Sequence, residues 1–360
     1  MLSHLELFAG IGGFRRAIEL LGSDFSIDTN CVGYSEIDKY AIKTYKSNFN
    51  TENDLDMGDI LEFVSDVKKV KSIKDFNLLT GGFPCQSFSM MGKKRGFDDI
   101  RGNLFYRIID ILKIKKPKYV LLENVKNLKT HDKGNTMQVV LAALKEAGYP
   151  HVFFDVFNTV NFDLAQTRNR IFIFASRCKF PADFEFTESA VMKCFFKIPD
   201  HSSILRQKNI LDVLEKDVDQ KYYLSEKVKP TILSNGSKGF SSNSEINQII
   251  ARPLTATMVK LHRACQDNYY SDGFLTSKNP LQYNTNIHSK HVLATHKIRK
   301  ITPKEAFLLQ GFDEQFLINS VNIGMSNHQL YKQAGNAVSV NTVYAILYYL
   351  FVERKINQIK

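Results

Sequence analysis

His4-Leu5-Glu6-Leu7-Phe8-Ala9 reads as a short strand, Gly10-Ile11-Gly12-Gly13 as a turn, and Phe14 to Leu21 as a helix. A strand, a glycine-rich turn and a helix in that order open a nucleotide-binding α/β domain. The glycines let a ligand sit against bare backbone at the helix N-terminus. The dinucleotide fingerprint G-x-G-x-x-G is not met, since Arg15 stands at the third glycine position.

Outward from this unit the chain keeps alternating. Cys31-Val32-Gly33-Tyr34-Ser35-Glu36 is a second strand that ends in an acid. An acid there commonly accepts hydrogen bonds from ribose hydroxyls. It also fits the entry to a helix, because Asp38 precedes the helical stretch Lys39 to Phe49. Asp59, in Gly58-Asp59-Ile60, has the same two readings: a partner for an adenine amino group, or an N-cap. Lys118 to Leu122 is another apolar strand, leading to Glu123-Asn124-Val125. That places polar groups at a strand C-terminus, the edge where open α/β sheets bind ligands. Helices are predicted over Asn103 to Ile114 and Thr136 to Ala147, and two closing strands over Val152 to Val160 and Arg170 to Ala175. Between these strands, Gln166-Thr167-Arg168-Asn169-Arg170 sets two arginines on one side of extended chain. The alternation predicts a parallel-type sheet covered on both faces. After Cys178 the pattern breaks into short β-like runs and loops, and helical periodicity returns at Thr302 to Gln310 and from Val338 to about Glu353.

One stretch has no period of its own: Gly81-Gly82-Phe83-Pro84-Cys85-Gln86-Ser87-Phe88-Ser89, after the apolar strand Phe76 to Thr80. Proline fixes the backbone before the thiol, and the glycines allow close approach. Most lone cysteines are small buried hydrophobes. A thiol after proline at the mouth of a strand is instead placed for chemistry. The stretch alone supports both readings. The segment 91–102 that follows, rich in glycine and charge, reads as a mobile basic loop.

The 360 residues carry a formal net charge of +11. Residues 251–300 hold eight Lys and Arg against two Asp, so +6 of that charge lies in fifty residues, with four of the nine histidines. A solvated basic surface or a polyanionic partner explains this. The longest apolar run, Val343 to Val352, is too short to span a bilayer. The N-terminus has no basic segment of a signal peptide. Five scattered cysteines with no C-x-x-C pair support neither a disulfide framework nor a zinc site. A reducing, cytoplasmic setting is expected.

Taken in order, these segments resemble the cytosine-5 DNA methyltransferases of bacteria. The ordered motifs are Leu7 to Gly13, Glu36, Gly58 to Ile60, Gly82 to Gln86, Arg101 to Phe105, Glu123 to Val125, Gln166 to Arg170, Arg299 to Phe312, and Gln333 to Val338. The resemblance spans the chain except about 180–298. It implies a Rossmann-like S-adenosylmethionine-dependent methyltransferase sheet with helices on both faces, in a catalytic domain over 1–180 completed by 326–360. It also implies a smaller irregular target-recognition domain over 181–325.

The resemblance further implies the chemistry. Cys85 matches the nucleophile that adds to C6 of a flipped-out cytosine, and Glu123 the acid that contacts N3 and the exocyclic amine. Arg168 and Arg170 match the arginines that hold O2 and support the thiol loop. S-adenosylmethionine is the implied methyl donor, leaving as S-adenosylhomocysteine. Phe8, Gly10, Gly12, Glu36, Ile37, Asp59, Ile60, Pro84, Leu104 and Asn336 match its lining. Ile37 departs from the aromatic that many members place there and offers apolar contact only. Ser89, Lys93, Lys94, Arg95, Arg252, Thr255, Lys260, His262 and Arg263 are the implied contacts to double-stranded DNA. Arg252-Pro253-Leu254-Thr255-Ala256-Thr257 resembles the segment that supports the flipped base, with Pro253-Leu254 in place of the usual Thr-Leu pair and Thr255 as the alternative threonine. A monomer is expected, with a cognate restriction endonuclease acting separately on the same site.

Other classes fit less well. A nicotinamide oxidoreductase leaves Cys85, Glu123 and the arginines unexplained. A zinc cytosine deaminase needs P-C-x-x-C, and Pro84-Cys85 is followed by Gln86-Ser87-Phe88. A non-catalytic regulator of the family would lack the cysteine. An RNA cytosine methyltransferase of the family shares the motifs. The roughly 120-residue variable segment suits major-groove readout better.

Overall fold

A computed structural model describes residues 1–84, 104–237, 239–283 and 290–358. The chain divides into two compact units. The first comprises Met1–Phe162, Asn169–Ile204 and Val338–Lys360, and the second Asp163–Arg168 and Leu205–Ala337.

The first unit is built on seven strands: β1 (Leu2–Leu7), β2 (Thr29–Ser35), β3 (Leu55–Asp56), β4 (Leu78–Gly82), β5 (Tyr119–Val125), β6 (His151–Asn158) and β7 (Asn169–Ser176). Their order is β3-β2-β1-β4-β5-β7-β6. Neighbours run parallel from β3 through β5. Every residue of β1 is buried, as expected where both faces of a sheet are covered. Helices Gly13–Phe25, Lys39–Asn48, Leu104–Lys115 and Asn135–Glu146 follow the strands they were expected to follow. The Asp38 carboxylate caps the second of them, accepting from the backbone N–H of Tyr40 and Ala41.

The sheet departs from the parallel expectation at its far edge. β7 runs antiparallel to both β5 and β6. Between β6 and β7 the first unit holds only the 3₁₀ turn Thr159–Phe162. A parallel return needs a crossover of a dozen or more residues, usually helical, so β7 enters in the reverse sense. The first unit also runs on to Ile204. Phe180, Phe184 and Phe186 lie within 5.5–6.2 Å of the Phe174 ring, and Phe195 lies 5.5 Å from Phe162. These rings form no strand period, yet they pack on the sheet.

Arg15, at the position of the missing third glycine, is buried. Its guanidinium donates to the carboxylates of Glu19 and Asp54, the carbonyl of Asn50 and the hydroxyl of Tyr45. It therefore organises a polar cluster where a dinucleotide fold would bring the helix against the strand. Glu6 of β1 belongs to that cluster, fully buried, and its carboxylate accepts from the Tyr45 hydroxyl at 3.0 Å.

Burial pushes the Glu6 carboxyl up from about 4.5 to about 7, against the opposing pull of the Tyr45 hydrogen bond and the Arg15 charge. The folded state thus holds a proton that the unfolded state releases. Stability falls as pH rises from about 4.5 to about 7 and is level above. Glu6→Gln keeps an acceptor for Tyr45 and removes the titration. It is expected to be as stable as the wild type at pH 4.5 and up to roughly 3 kcal/mol more stable at pH 8. Nearby His4, whose pKa burial lowers to about 3, acts with the opposite sign and cancels in the difference. Urea unfolding of both proteins across this range measures it. A pH-independent difference would show that Glu6 stays ionised in the fold.

The second unit holds short elements joined by loops. Tyr269–Ser271 pairs antiparallel with Ile298–Lys300, and Gly236–Ser237 with Phe240–Ser241. The helices Pro303–Leu308, Glu314–Asn322 and Asn327–Asn336 follow. A small core gathers Ile232, Leu233, Ile246, Tyr269 and Ile298. Arg299 and Glu305 form a wholly buried ion pair at 2.7 Å, and the Glu305 carboxylate also accepts from the Thr302 backbone in a capping box. Among the described residues, one helical stretch is long and apolar enough to cross a membrane, Asn327–Glu353. Of its apolar window, 83% is buried.

Candidate active site

The parallel register brings the ends of five strands to one edge of the sheet. Leu7 of β1 pairs with Ser35 of β2 and with Gly81 of β4, and Gly82 pairs with Glu123 of β5. Residues just beyond these pairs share one rim: the turn after Leu7, Glu36, and Phe83-Pro84, the latter leading to Cys85.

The turn after β1 is shaped by left-handed backbone at Phe8 (φ +53°), Gly10 (φ +57°) and Gly12 (φ +88°). The two glycines have different reasons. A side chain on Gly12 would lie 2.3 Å from the Phe49 ring, so packing demands glycine there. At Gly10 nothing lies within 4 Å of where a Cβ would be, and the backbone faces open space. Glu36 closes this cradle. Its carboxylate accepts from the backbone N–H of Gly10, Ile37 and Asp38, each at 2.8 Å. Three bonds use three of about four acceptor positions on a carboxylate. Ile37 beside it is 73% exposed, an apolar side chain held in the open.

Asp59 is an N-cap, its Oδ1 accepting from the Leu61 N–H at 2.8 Å. Its second oxygen has no partner among the described residues, so capping and ligand contact are compatible. Ile60 is buried in the core, leaving only its backbone available to a ligand. Phe8 and Leu104 pack partly against the same core, and Pro84 is exposed. Asn336 is exposed at the end of the helix Asn327–Asn336 in the second unit. An open glycine backbone, a carboxylate with acceptor capacity and an exposed apolar side chain suit a nucleoside with a polar tail.

On β5, Glu123 is mostly buried, and its Oε1 pairs with Nε of Arg170 at 3.0 Å. Arg170 lies opposite Val125, so the pair is a diagonal contact on one face of adjacent antiparallel strands. Gly82 leaves room for the carboxylate, since a Cβ there would lie 3.3 Å from Glu123 Oε2. Gly81 serves the sheet instead, its Cβ position being 3.1 Å from the Leu7 carbonyl. Asn124 is the second polar residue at this strand end. Its amide donates to the Phe83 carbonyl at 2.7 Å, which fixes the backbone entering Pro84-Cys85. The available signal was an asparagine at a buried position of an otherwise apolar strand. Cys85, Ser89, Lys93, Lys94, Arg95 and the loop 91–102 lie outside the described residues.

Arg168 does not share the partners of Arg170. It is buried, and its guanidinium donates to the carbonyls of Leu254, Gly335 and Ala337 at 2.9–3.1 Å. Gln166 ties the same place, accepting from the Leu254 N–H and donating to the Leu309 carbonyl. A side chain on Gly335 would lie 2.2 Å from the Thr255 backbone. Gln166, Arg168 and Gly335 thus fix the backbone of Leu254 and Thr255. Arg252 donates through Nε to the Ala264 carbonyl, and Arg263 through Nε to the Ser234 hydroxyl. Thr255 and Lys260 are exposed and His262 is half-buried, so the basic segment faces solvent in this unit.

Residues 2–351 match the family model described as C-5 cytosine-specific DNA methylase. The chain is 38% identical to the type II methyltransferase M1.ScrFI of Lactococcus lactis subsp. cremoris, over 95% of this chain and 76% of that protein. It is 36% identical to the type II methyltransferase M.NlaX of Neisseria lactamica, over 96% and 95%. Among solved structures, the Entamoeba histolytica methyltransferase EhMeth shares the fold with a TM-score of 0.71 at 19% identity, covering 98% of each chain. The S. pombe Dnmt2 methyltransferase shares it with a TM-score of 0.68 at 21% identity, again over 98% of each.

Proposed function

We propose, for a chain that belongs to the C-5 cytosine-specific DNA methylase family and is an S-adenosylmethionine-dependent DNA cytosine-5 methyltransferase, that it modifies a cytosine extruded from a specific duplex sequence through a covalent bond between Cys85 and C6. The observation that carries this reading is the Glu123–Arg170 pair at 3.0 Å, with Glu123 in register with the glycine that opens the Cys85 loop.

Cytosine C5 is too poor a nucleophile to take a methyl group unaided. The Cys85 thiolate adds to C6. The C5–C6 electron pair moves toward C5 while Glu123 gives a proton to N3, which offsets the charge developing on the ring. S-adenosylmethionine supplies, when bound, the electrophilic methyl group that C5 takes. C5 then loses its proton to water, that electron pair re-forms the C5–C6 double bond and expels the thiolate, and N3 returns its proton to Glu123. Arg170 orients Glu123 and donates toward O2, and a guanidinium near the thiol favours its thiolate form. C6 lies within the stack of a duplex, so the base must leave it before Cys85 can reach it.

For the cofactor, Gly10 and Gly12 shape the turn against its methionine part. Glu36 accepts from its ribose, Asp59 from its adenine amine, and Ile37 covers the ring. Phe8, Pro84, Leu104 and the Ile60 backbone complete the contacts. Arg168 acts as a positioning residue for the segment around Leu254 and Thr255, which supports the extruded base. The chain works as a monomer in a bacterial restriction–modification pair.

The test is transfer of labelled methyl groups from S-adenosylmethionine to unmodified duplex DNA and, separately, to tRNA. Label at C5 of cytosine in one consistent DNA context is expected. Label confined to tRNA would overturn the DNA reading.

A further inference from the structure

We propose that a cavity at the edge of the sheet opposite the active-site rim, between Asn77, Lys118 and Asn357, binds a small monocarboxylate with a flat apolar body. The methyl-transfer reading neither uses this cavity nor depends on it.

The cavity has a volume of about 220 Å³ and lies wholly within the first unit. It sits where three strands begin. Leu2 starts β1, Asn77 precedes β4 and Lys118 precedes β5. Leu78 pairs with both His4 and Tyr119, so the three starts are neighbours in the sheet. The same strands end at the other edge, beside the Gly10 turn, Phe83-Pro84 and Glu123. A ligand here would therefore meet neither the methyl donor nor the base.

The cavity has an apolar floor. Leu2, Tyr119 and Phe351 are buried, and Ile27 is half-buried beside them. The Tyr119 and Phe351 rings meet edge to face with centroids 5.7 Å apart. Walls of this kind suit a flat hydrocarbon body.

The free polar groups include an ammonium and a fixed amide donor. Asn77 Oδ1 accepts from the backbone N–H of Ser3 at 3.1 Å and from its hydroxyl at 2.7 Å. A backbone N–H can only donate, so these bonds settle which end of the amide is oxygen and hold it in place. The NH₂ end has no partner among the described residues. The Asn77 carbonyl accepts from the Tyr119 N–H at 2.9 Å, which fixes the backbone of the residue as well. Lys118 is exposed, and its ammonium forms no ion pair among the described residues. The Tyr119 hydroxyl is already committed, donating to the Ile356 carbonyl at 2.6 Å. That bond anchors the 3₁₀ turn Ile356–Gln358, which brings Asn357 to the cavity. No carboxylate is among the lining side chains, and the nearby Asp75 is paired with Lys115 at 2.8 Å.

One ammonium and a preset amide donor match an oxyanion of single charge, and the two oxygens of a carboxylate can accept from both at once. The volume falls below the roughly 300–1,000 Å³ of sites for drug-sized ligands, so the fitting body is about the size of one aromatic ring.

The test titrates phenylacetate against the intact chain by ligand-observed NMR, with and without saturating S-adenosylhomocysteine. Phenylacetamide, its neutral counterpart, and phenyl phosphate, its dianionic one, are titrated alongside. Phenylacetate is expected to bind with a Kd of ~1 mM or tighter, unchanged by S-adenosylhomocysteine. Phenylacetamide should bind ~10-fold more weakly. Lys118→Gln keeps most of the stem and removes the charge, and should weaken phenylacetate ~10-fold, with Lys118→Arg restoring it. Asn77→Asp keeps an oxygen for Ser3 and sets a negative charge where the donor stood, so binding should be lost while methyl transfer persists. Absence of saturable binding overturns the proposal, as does wild-type affinity in Lys118→Gln. Displacement by S-adenosylhomocysteine would place the ligand in the cofactor cradle and overturn the site. Tighter binding of phenyl phosphate would overturn the monocarboxylate class. Each of these leaves the methyl-transfer reading standing.

Discussion

With Cys85→Ala, methyl transfer to duplex DNA is expected to fall by roughly 10⁴-fold or more, because no other group in the proposed route can make C5 nucleophilic. Binding of S-adenosylmethionine and of DNA should persist, since the thiol contributes to neither. Labelled methyl transfer measures the loss. Duplex DNA carrying 5-fluorocytosine gives an independent readout. After methylation its C5 has no proton to release, so the thiolate is not expelled and a denaturant-stable protein–DNA adduct accumulates. The wild type should form the adduct and Cys85→Ala should not. Methylation retained in the variant would overturn the covalent mechanism.

Glu123→Gln tests the acid. Glutamine keeps a carbonyl oxygen for Arg170, which now pairs with Oε1 at 3.0 Å, so the strand edge should keep its geometry. What is lost is a proton to give to N3. General acid catalysis typically contributes 10²–10⁴-fold, and kcat is expected to fall by about that factor with KM for DNA little changed. The 5-fluorocytosine adduct should still form, more slowly. A variant with wild-type kcat would leave Glu123 as a binding residue only. A large rise in KM with kcat intact would say the same by another route.

Much of the fold was legible because it depends on local pattern. β1, the turn at Gly10 and the capped helix after Asp38 follow from apolar period, glycine and cap chemistry, and lie within a residue or two of expectation. The direction of β7 depended on a missing crossover, which an alternating pattern does not display. Phe180 to Phe195 join the first unit through ring contacts with no period. In the site, residue types pointed to Glu36, Glu123 and Arg170, because carboxylates and guanidinium at strand ends have few purely structural uses. Arg168 looked equivalent to Arg170 by type and spacing. Its partners are backbone carbonyls from segments far along the chain, and no pattern of side chains announces a carbonyl. Asn124 was legible as a polar residue at a strand end but not in its role, since its partner is the carbonyl of Phe83.

That anchoring has an evolutionary meaning. Gln166 and Arg168 grip the segment at Leu254 through its N–H and C=O, and Arg168 also takes the carbonyls of Gly335 and Ala337. Main-chain groups are the same in every sequence. Gly335 alone imposes a residue type, by standing too close to Thr255 to carry a side chain. The clasp is therefore blind to the side chains that follow Leu254. A lineage can rewrite those residues without renegotiating the joint that holds them.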